Sequence, residues 1–141
     1  MYKKILIPLD NSPTDKTILD HIKPLVRLTG AEILLVHVSD GYGARLQKEL
    51  NLEDSEEIKE DRSYLGTQKR QLEKEGFRIS TFLLRGEPSD EILSIAGKEN
   101  CDLIAMSTHG HRFLKDILFG SVAESIRHRT NIPILMIRGA K

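Results

Sequence analysis

Four short apolar segments, separated by stretches with helical periodicity, constrain the fold of this chain more than any other feature. They occupy residues 5–7, 33–36, 103–106 and 134–137. Each is nearly continuous in hydrophobic residues, which is typical of strands in a parallel sheet buried on both faces. Residues 77–84 mix apolar and polar positions and predict a fifth strand, with one partly exposed face, at an edge of the sheet.

The intervening stretches carry the start and stop signals of helices. Ser12 and Pro13 predict an N-cap followed by the first helical position, and Gly30 predicts the end of that helix. Pro24 lies inside the helix and should kink it. Pro88 begins another helix in the same way.

The last helix is predicted over residues 121–129, so that Gly120 immediately precedes it. Residues 45–75 hold seven basic and nine acidic residues around a few leucines and Ile58, and predict a solvated helix or helix pair with a thin apolar stripe. Strands that alternate with helices predict an α/β fold, with a parallel sheet and right-handed crossovers, in a single domain over residues 1–141.

Composition limits the classes of partner. The chain has 141 residues, with 21 Lys and Arg against 21 Asp and Glu, so its formal net charge is zero. This balance gives no electrostatic reason to expect a nucleic-acid or membrane-surface partner. Cys101 is the single cysteine, which excludes an intramolecular disulfide. Without a signal-peptide pattern or a long apolar segment, we expect a soluble cytoplasmic protein.

Two loops that follow predicted strands carry the candidate chemistry. Asp10 comes directly after the first strand and could accept hydrogen bonds from a ribose or an adenine, help to hold a metal, or cap the next helix. After the fourth strand, Gly110 allows a turn, and Gly120 with Ser121 precedes the predicted last helix. Free N–H groups at a helix start favour an anion, so this stretch predicts a phosphate site, with two ordinary glycine turns around a surface loop as the alternative that the spacing alone leaves open.

Beyond these separate features, the chain resembles the universal stress protein family. The resemblance is carried by residues 2–10, 33–38 and 106–138, which together leave out the charged middle. Nucleotide-binding members of that family have the signature G-x2-G-x9-G-[ST]. Gly110, Gly120 and Ser121 match this signature, whereas Ser107 stands in place of its first glycine.

The resemblance implies an open five-stranded parallel sheet in the order 3-2-1-4-5 with helices on both faces, a Rossmann-like arrangement. It also implies an ATP site at the carboxyl ends of strands one and four. Adenine and ribose contacts would come from Pro8, Asp10, Val38 and Met106. The residues implied at the phosphates, or placed there by their position beside them, are Ser107, Gly110, His111, Arg112, Gly120, Ser121 and Val122. Mg²⁺ or Mn²⁺ could bridge the phosphates.

Ser107 is the departure that matters for this expectation. Serine keeps the backbone N–H, but its Cβ disfavours a positive φ. If the position needs only a donor, ATP binding is retained, and we favour that outcome. If it needs a glycine conformation, binding weakens.

Other functions remain open from the sequence. A protein of the same fold could act as an interaction module that binds no nucleotide. Thr108, His109, Gly110 and His111 match the short T-x-G-H motif of nucleotidylyltransferases, although here it would follow the fourth strand, and a slow phosphohydrolase is a further possibility. We expect at most weak ATPase activity and assign no catalytic or metal-binding residues.

The last strand predicts a partner. In the implied order it lies at the sheet edge, yet the chain from Ile132 to Ile137 carries no charge. Exposed apolar edges invite pairing with another chain. We therefore expect a homodimer that is closed by this strand, as the family resemblance also implies.

Overall fold

A computed structural model describes residues 1–39, 56–108 and 114–139, and over these ranges strands and helices alternate. The strands are β1 (Lys4–Pro8), β2 (Glu32–Ser39), β3 (Ile79–Arg85), β4 (Leu103–Thr108) and β5 (Ile134–Arg138). The helices are α1 (Thr14–Thr29), α2 (Glu56–Lys74), α3 (Pro88–Lys98) and α4 (Leu114–Arg129).

The five strands form one parallel sheet in the order β3-β2-β1-β4-β5, which confirms the predicted α/β topology. β3 is an edge strand, as the mixed pattern of residues 77–84 predicted. Ile5, Leu6 and Ile7 of β1 are fully buried. Because successive strand residues point to opposite faces, this central strand contributes to the hydrophobic core on both sides.

The two faces have separate cores. On one face, Ile5 and Ile7 pack with Ile18 and Ile22 of α1 and with Leu65 of α2. On the other face, the core contains strand, α3 and α4 residues, among them Leu6, Leu34, Ile92, Ile104 and Ile126. The sheet therefore separates an α1–α2 layer from an α3–α4 layer, and the carboxyl ends of all five strands lie at one edge of the sandwich.

The predicted helix signals are correct in part. Gly30 ends α1 in the left-handed conformation, with φ of +71°, and Pro88 begins α3. The α1 helix runs without a break through Pro24. The predicted capping role of Ser12 is wrong: Pro13 occupies the N-cap without a side-chain cap, and the Ser12 hydroxyl lies 2.9 Å from the Thr14 hydroxyl.

The charged middle is a single helix as far as the structure describes it. Residues 45–55 lie outside the described residues, and α2 begins at Glu56. Ile58, Leu65 and Leu72 are buried along one side of α2, which confirms the predicted thin apolar stripe.

Within the described ranges, no helix has the length and apolar character needed to cross a membrane.

The predicted start of the last helix is wrong. α4 begins at Leu114, seven residues before the predicted start, so Gly120 and Ser121 lie within the helix. The segment ahead of Gly120 is rich in good helix formers, and one glycine inside a helix costs only about 1 kcal/mol, too little to force an end there.

Candidate functional site

Among the neighbouring strands of the sheet, β1 and β4 share the fewest paired residues, and it is between these two strands that the connections reverse direction. β1 pairs with β4 through Ile5–Leu103 and Leu6–Ile104. By contrast, β1 pairs with β2 as far as Pro8–Val36, and β4 pairs with β5 as far as Thr108–Arg138. Pro8 has no N–H to donate toward a neighbouring strand. The β1–β4 ladder thus ends below its neighbours, at the switch point where open α/β sheets bind ligands.

The β1–α1 loop, residues 9–13, lies at this switch point. The Leu9 N–H donates to the Val36 carbonyl at 2.7 Å, which holds the loop to β2. Asn11 then adopts a left-handed conformation, with φ of +60°. Asparagine tolerates this region better than most residues, and the turn places Asp10 at the carboxyl end of β1.

Asp15, in the first turn of α1, accepts three hydrogen bonds at this end of the sheet. The N–H of Asp10 donates to its Oδ1 at 3.1 Å, and the N–H of Asn11 donates to its Oδ2 at 2.8 Å. The Tyr64 hydroxyl of α2 donates to the same Oδ2 at 2.6 Å. The Asp15 carboxylate therefore connects the β1–α1 loop to both helices of this face.

The environment of Asp15 perturbs its ionisation. Burial raises the pKa of Asp15 to about 7, the Tyr64 hydrogen bond acts in the opposite direction, and the neighbouring Asp10 charge raises it. Burial, together with the hydrogen bond to Asp15, also raises the pKa of Tyr64. Tyr64 therefore remains a hydroxyl donor at every physiological pH.

A second polar chain reaches the same loop from β2. His37 Nδ1 lies 2.8 Å from the Leu9 carbonyl oxygen, and its Nε2 lies 3.0 Å from Oδ2 of Asp61 in α2. A carbonyl can only accept, so Nδ1 carries the donated hydrogen. Oδ2 of Asp61 therefore faces the second ring nitrogen of His37. The Ser39 hydroxyl also donates to Asp61, at 3.3 Å, within this buried group.

Ser107 occupies an ordinary strand position on the opposite side of the switch point. It is buried near the end of β4 and has a negative φ, and its hydroxyl donates to the Thr14 hydroxyl at 3.3 Å. The chain also passes close by at Gly139, where a Cβ would lie 2.6 Å from Cβ of Thr14. A serine thus fits here without strain, and position 107 needs no glycine conformation in this structure.

The apolar candidates for the base and ribose, Val38 and Met106, lie on the other face. Met106 is buried in the hydrophobic cluster there, and the half-buried Val38 packs against it. Val122, which the resemblance implies at the phosphates, is buried in the same cluster, within α4. Pro8 is also buried, and strand alternation places it on the face of Leu6, which belongs to that cluster. Val38 and Met106 thus contribute to one hydrophobic core, on the face of the sheet covered by α3 and α4.

A separate cavity of about 310 Å³ lies between α1 and α2. Its lysines are already paired: Lys16 with Asp20, and Lys23 with both Asp20 and Glu75. Its charges are therefore balanced and indicate no particular class of ligand.

Comparison with known proteins agrees with this architecture. The sequence profile of the universal stress protein family matches residues 1–138. This chain belongs to the universal stress protein family. It is 32% identical to universal stress protein MJ0577 of Methanocaldococcus jannaschii over 155 aligned positions, covering 98% of this chain and 96% of that protein.

Solved structures of universal stress proteins share the fold. The structure of hypothetical protein MJ0577 gives a TM-score of 0.83 at 35% identity and covers 100% of this chain and 99% of that one. The universal stress protein of Archaeoglobus fulgidus in complex with dAMP gives a TM-score of 0.72 at 25% identity, covering 96% of this chain and 98% of that one.

The residues expected at the phosphates are described only in part. Gly110, His111 and Arg112 lie outside the described residues, as does His109. Gly120 and Ser121 are placed inside α4, so the inference that their N–H groups are free at a helix start is wrong for this structure. Among the residues that the structure does describe, no cluster of three His, Cys, Asp or Glu side chains suits a metal ion.

The polar partners of the β1–α1 loop were missed from the sequence. Asp15 lies three, four and seven residues before Ile18, Leu19 and Ile22, so helical periodicity alone could have placed its carboxyl group on the buried face. No such signal exists for Asp61, since its contact with His37 joins residues on different elements.

The prediction that Cys101 is a core residue agrees with its burial, which raises its pKa to about 11.

The raised pKa of Asp15 predicts a specific pH dependence of stability. The folded protein holds the Asp15 proton up to a pH of about 7, whereas the ordinary value is 3.8. Between these values the folded state binds more protons than the unfolded state, so the stability from this group falls as pH rises, by at most about 1.4 kcal/mol per pH unit.

Urea unfolding from pH 5 to pH 8 measures this effect. Asp15→Asn cannot titrate, so the stability advantage of the wild-type protein over this variant should shrink as pH rises toward 8. Asp20→Asn is the matched control on the same helix, because the pKa of the exposed Asp20 is lowered by Lys16 and does not enter this range. A constant difference between wild-type and Asp15→Asn proteins would contradict the assignment.

Proposed function

We propose that this universal stress protein binds ATP at the carboxyl ends of β1 and β4 and acts in the cytoplasm as a regulatory module. The observation that carries the proposal is the short β1–β4 ladder, which ends at Leu6–Ile104 while both neighbouring ladders continue. A ligand that enters there meets apolar surface on one side and polar backbone on the other. An adenine nucleotide has that combination of surfaces.

The base and ribose end is supported by residues that the structure describes. Val38 is half-buried and offers apolar surface for the purine ring, Met106 is buried in the hydrophobic cluster against which Val38 packs, and Pro8 is buried at the end of β1. Asp10 is only partly buried at the head of the loop, where its carboxylate can accept from ribose hydroxyls or the adenine amino group. The dAMP complex of the Archaeoglobus fulgidus relative supports an adenine nucleotide as the ligand class.

The phosphate end rests on the signature in the sequence. Gly110, Gly120 and Ser121 have the required spacing, Val122 follows them, and His111 and Arg112 add positive charge. The helical position of Gly120 and Ser121 sets a condition on binding, because N–H groups inside a helix already have carbonyl partners. These two amides can reach a phosphate only when the turns of α4 ahead of them open.

Ser107 is compatible with nucleotide binding under this proposal. It has a strand conformation and a partner in Thr14, so serine in place of the first signature glycine need not distort the loop.

Mg²⁺ or Mn²⁺ bridging the phosphates would offset their charge. We assign the function to nucleotide occupancy, with at most slow hydrolysis, since the buried acid–base pair Asp61–His37 is committed to the Leu9 carbonyl.

Calorimetric titration with ATP and Mg²⁺ tests the proposal, with Gly120→Ala as the diagnostic variant. Alanine favours the helix over glycine by about 1 kcal/mol and adds a Cβ where a phosphate would approach, so ATP affinity should fall by roughly fivefold or more. Gly97→Ala in α3 is the control, because a Cβ there meets no atom within 4 Å. Its ATP affinity should equal that of the wild-type protein.

The titration also separates the competing functions. No heat up to millimolar ATP, and no nucleotide released from the purified protein, would contradict ATP binding and favour an interaction module of the same fold. Rapid release of phosphate, or of pyrophosphate, would instead favour a phosphohydrolase or a nucleotidyltransferase.

We also propose a homodimer that pairs through β5 and the residues leading into it, from Ile132 to Ile137. β5 lies at the edge of the sheet, and Met136 is 41% exposed there. Ile134, Leu135 and Ile137 are each only partly buried, so the strand presents apolar side chains and an edge to a second copy.

Sedimentation at tens of micromolar protein tests the dimer. Met136→Lys places a charge on the exposed edge and should shift the protein to monomer with little loss of stability, because the side chain is not part of the core. Leu28→Lys replaces an exposed apolar residue on α1 and should leave the dimer intact. A wild-type protein that sediments as a monomer would contradict the proposal.

A further inference from the structure

Helix α2 directs two polar side chains toward the candidate nucleotide site. Asp61 and Tyr64 are three residues apart and therefore lie on the same side of the helix. Neither is among the residues that the family resemblance assigns to ATP. Each contacts a side chain that in turn holds the backbone of the β1–α1 loop, so α2 reaches the loop along two separate routes.

The first route runs through Asp15. The Tyr64 hydroxyl donates to Asp15 Oδ2 at 2.6 Å, and the Asp15 carboxylate accepts from the N–H groups of Asp10 and Asn11. These donors belong to a left-handed turn at Asn11. Such a backbone conformation costs free energy, and hydrogen bonds to the buried Asp15 side chain offset that cost.

The second route runs through His37. Asp61 Oδ2 lies 3.0 Å from His37 Nε2, and His37 Nδ1 donates to the Leu9 carbonyl at 2.8 Å. The side chains of His37 and Asp61 are about nine-tenths buried. The Asp61 carboxylate fixes which ring nitrogen of His37 points at Leu9, in the way that a carboxylate orients a histidine in other polar networks.

Both routes end on consecutive backbone groups of Leu9, Asp10 and Asn11. The Leu9 N–H is held by Val36, its carbonyl by His37, and the next two N–H groups by Asp15. The conformation that presents Asp10 at the switch point is therefore set by groups behind the loop. Two of those groups receive their own partners from α2.

We propose that Asp61 and Tyr64 are positioning residues of the nucleotide site, which act through His37 and Asp15 to hold the β1–α1 loop in its binding conformation. This inference rests on the proposed ATP function, because it concerns the same site. It predicts that loss of either contact loosens the loop and weakens ATP binding, although neither side chain touches the nucleotide.

Amide hydrogen exchange without nucleotide tests the positioning directly. Tyr64→Phe removes only a hydroxyl group, and Asp61→Ala removes the partner of His37. Both should lower the protection of the Asp10 and Asn11 amides severalfold. Tyr2→Phe, at the opposite end of β1, and Glu60→Ala, on the exposed side of α2, are matched controls and should leave that protection unchanged.

ATP titration of the same variants tests the consequence for binding. Tyr64→Phe and Asp61→Ala should each weaken ATP binding by roughly three- to tenfold, the loss expected for one hydrogen bond. Asp61→Asn is the conservative variant: its amide can donate to His37 Nε2 while Nδ1 still donates to Leu9, so it should retain most of the wild-type affinity. Recovery of ATP affinity in Asp61→Asn would assign the loss in Asp61→Ala to the hydrogen bond with His37.

The two readouts keep the inference and the proposed function apart. If the wild-type protein binds ATP and Tyr64→Phe and Asp61→Ala bind it equally well, the inference is overturned and the ATP function stands. If the wild-type protein binds no ATP but the variants lower amide protection, the ATP function is overturned and the control of the loop by α2 stands. Unchanged amide protection in both variants would overturn the inference whatever the binding result.

Discussion

Burial of β1 on both faces is the constraint on which the rest of this structure depends. Ile5, Leu6 and Ile7 have no exposed surface, because α1 and α2 cover one face of the sheet and α3 and α4 cover the other. A strand in this position pairs with β2 on one side and β4 on the other. The connections therefore leave in opposite directions, and the crevice at the carboxyl end of β1 follows from the topology.

The backbone that follows β1 needs hydrogen-bond partners. Polar backbone at the top of a buried strand needs partners, since an unpaired buried N–H or carbonyl costs about as much as a lost hydrogen bond. Asp15 and His37 supply those partners for residues 9–11. The hydrogen bonds that satisfy the backbone groups at the end of this buried strand also fix the conformation of the loop that carries Asp10. Stability and ligand recognition thus share one set of side chains.

Features set by local pattern were predictable from the sequence. The continuous apolar runs gave the central strands, and the mixed pattern of residues 77–84 gave an edge strand. Local signals failed where two of them compete. Ser12 has the right residue type for an N-cap, but its hydroxyl lies against Thr14 and Asp15 binds the loop N–H groups instead. Gly120 resembles a helix boundary, yet helix propensity on both sides carries α4 through it.

The residues of the candidate site were proposed from resemblance to the family more than from residue chemistry. Met106 and Val122 lie in one hydrophobic cluster and Val38 packs against it, but a sequence pattern does not show which ligand such residues would contact. The α2 contacts could not be predicted, because Asp61 and His37 are 24 positions apart and meet only once the sheet and helix have packed. Long-range polar pairs leave no periodic trace in a single sequence.

A crystal structure of the protein grown with ATP and Mg²⁺ would show whether the nucleotide binds at the switch point. We expect the adenine and ribose at the carboxyl ends of β1 and β4, within hydrogen-bond distance of Asp10, and the phosphates beside Gly120 and Ser121 with the first turns of α4 opened. ATP in the cavity between α1 and α2, or a switch point that stays free of nucleotide at saturating ATP, would contradict this expectation.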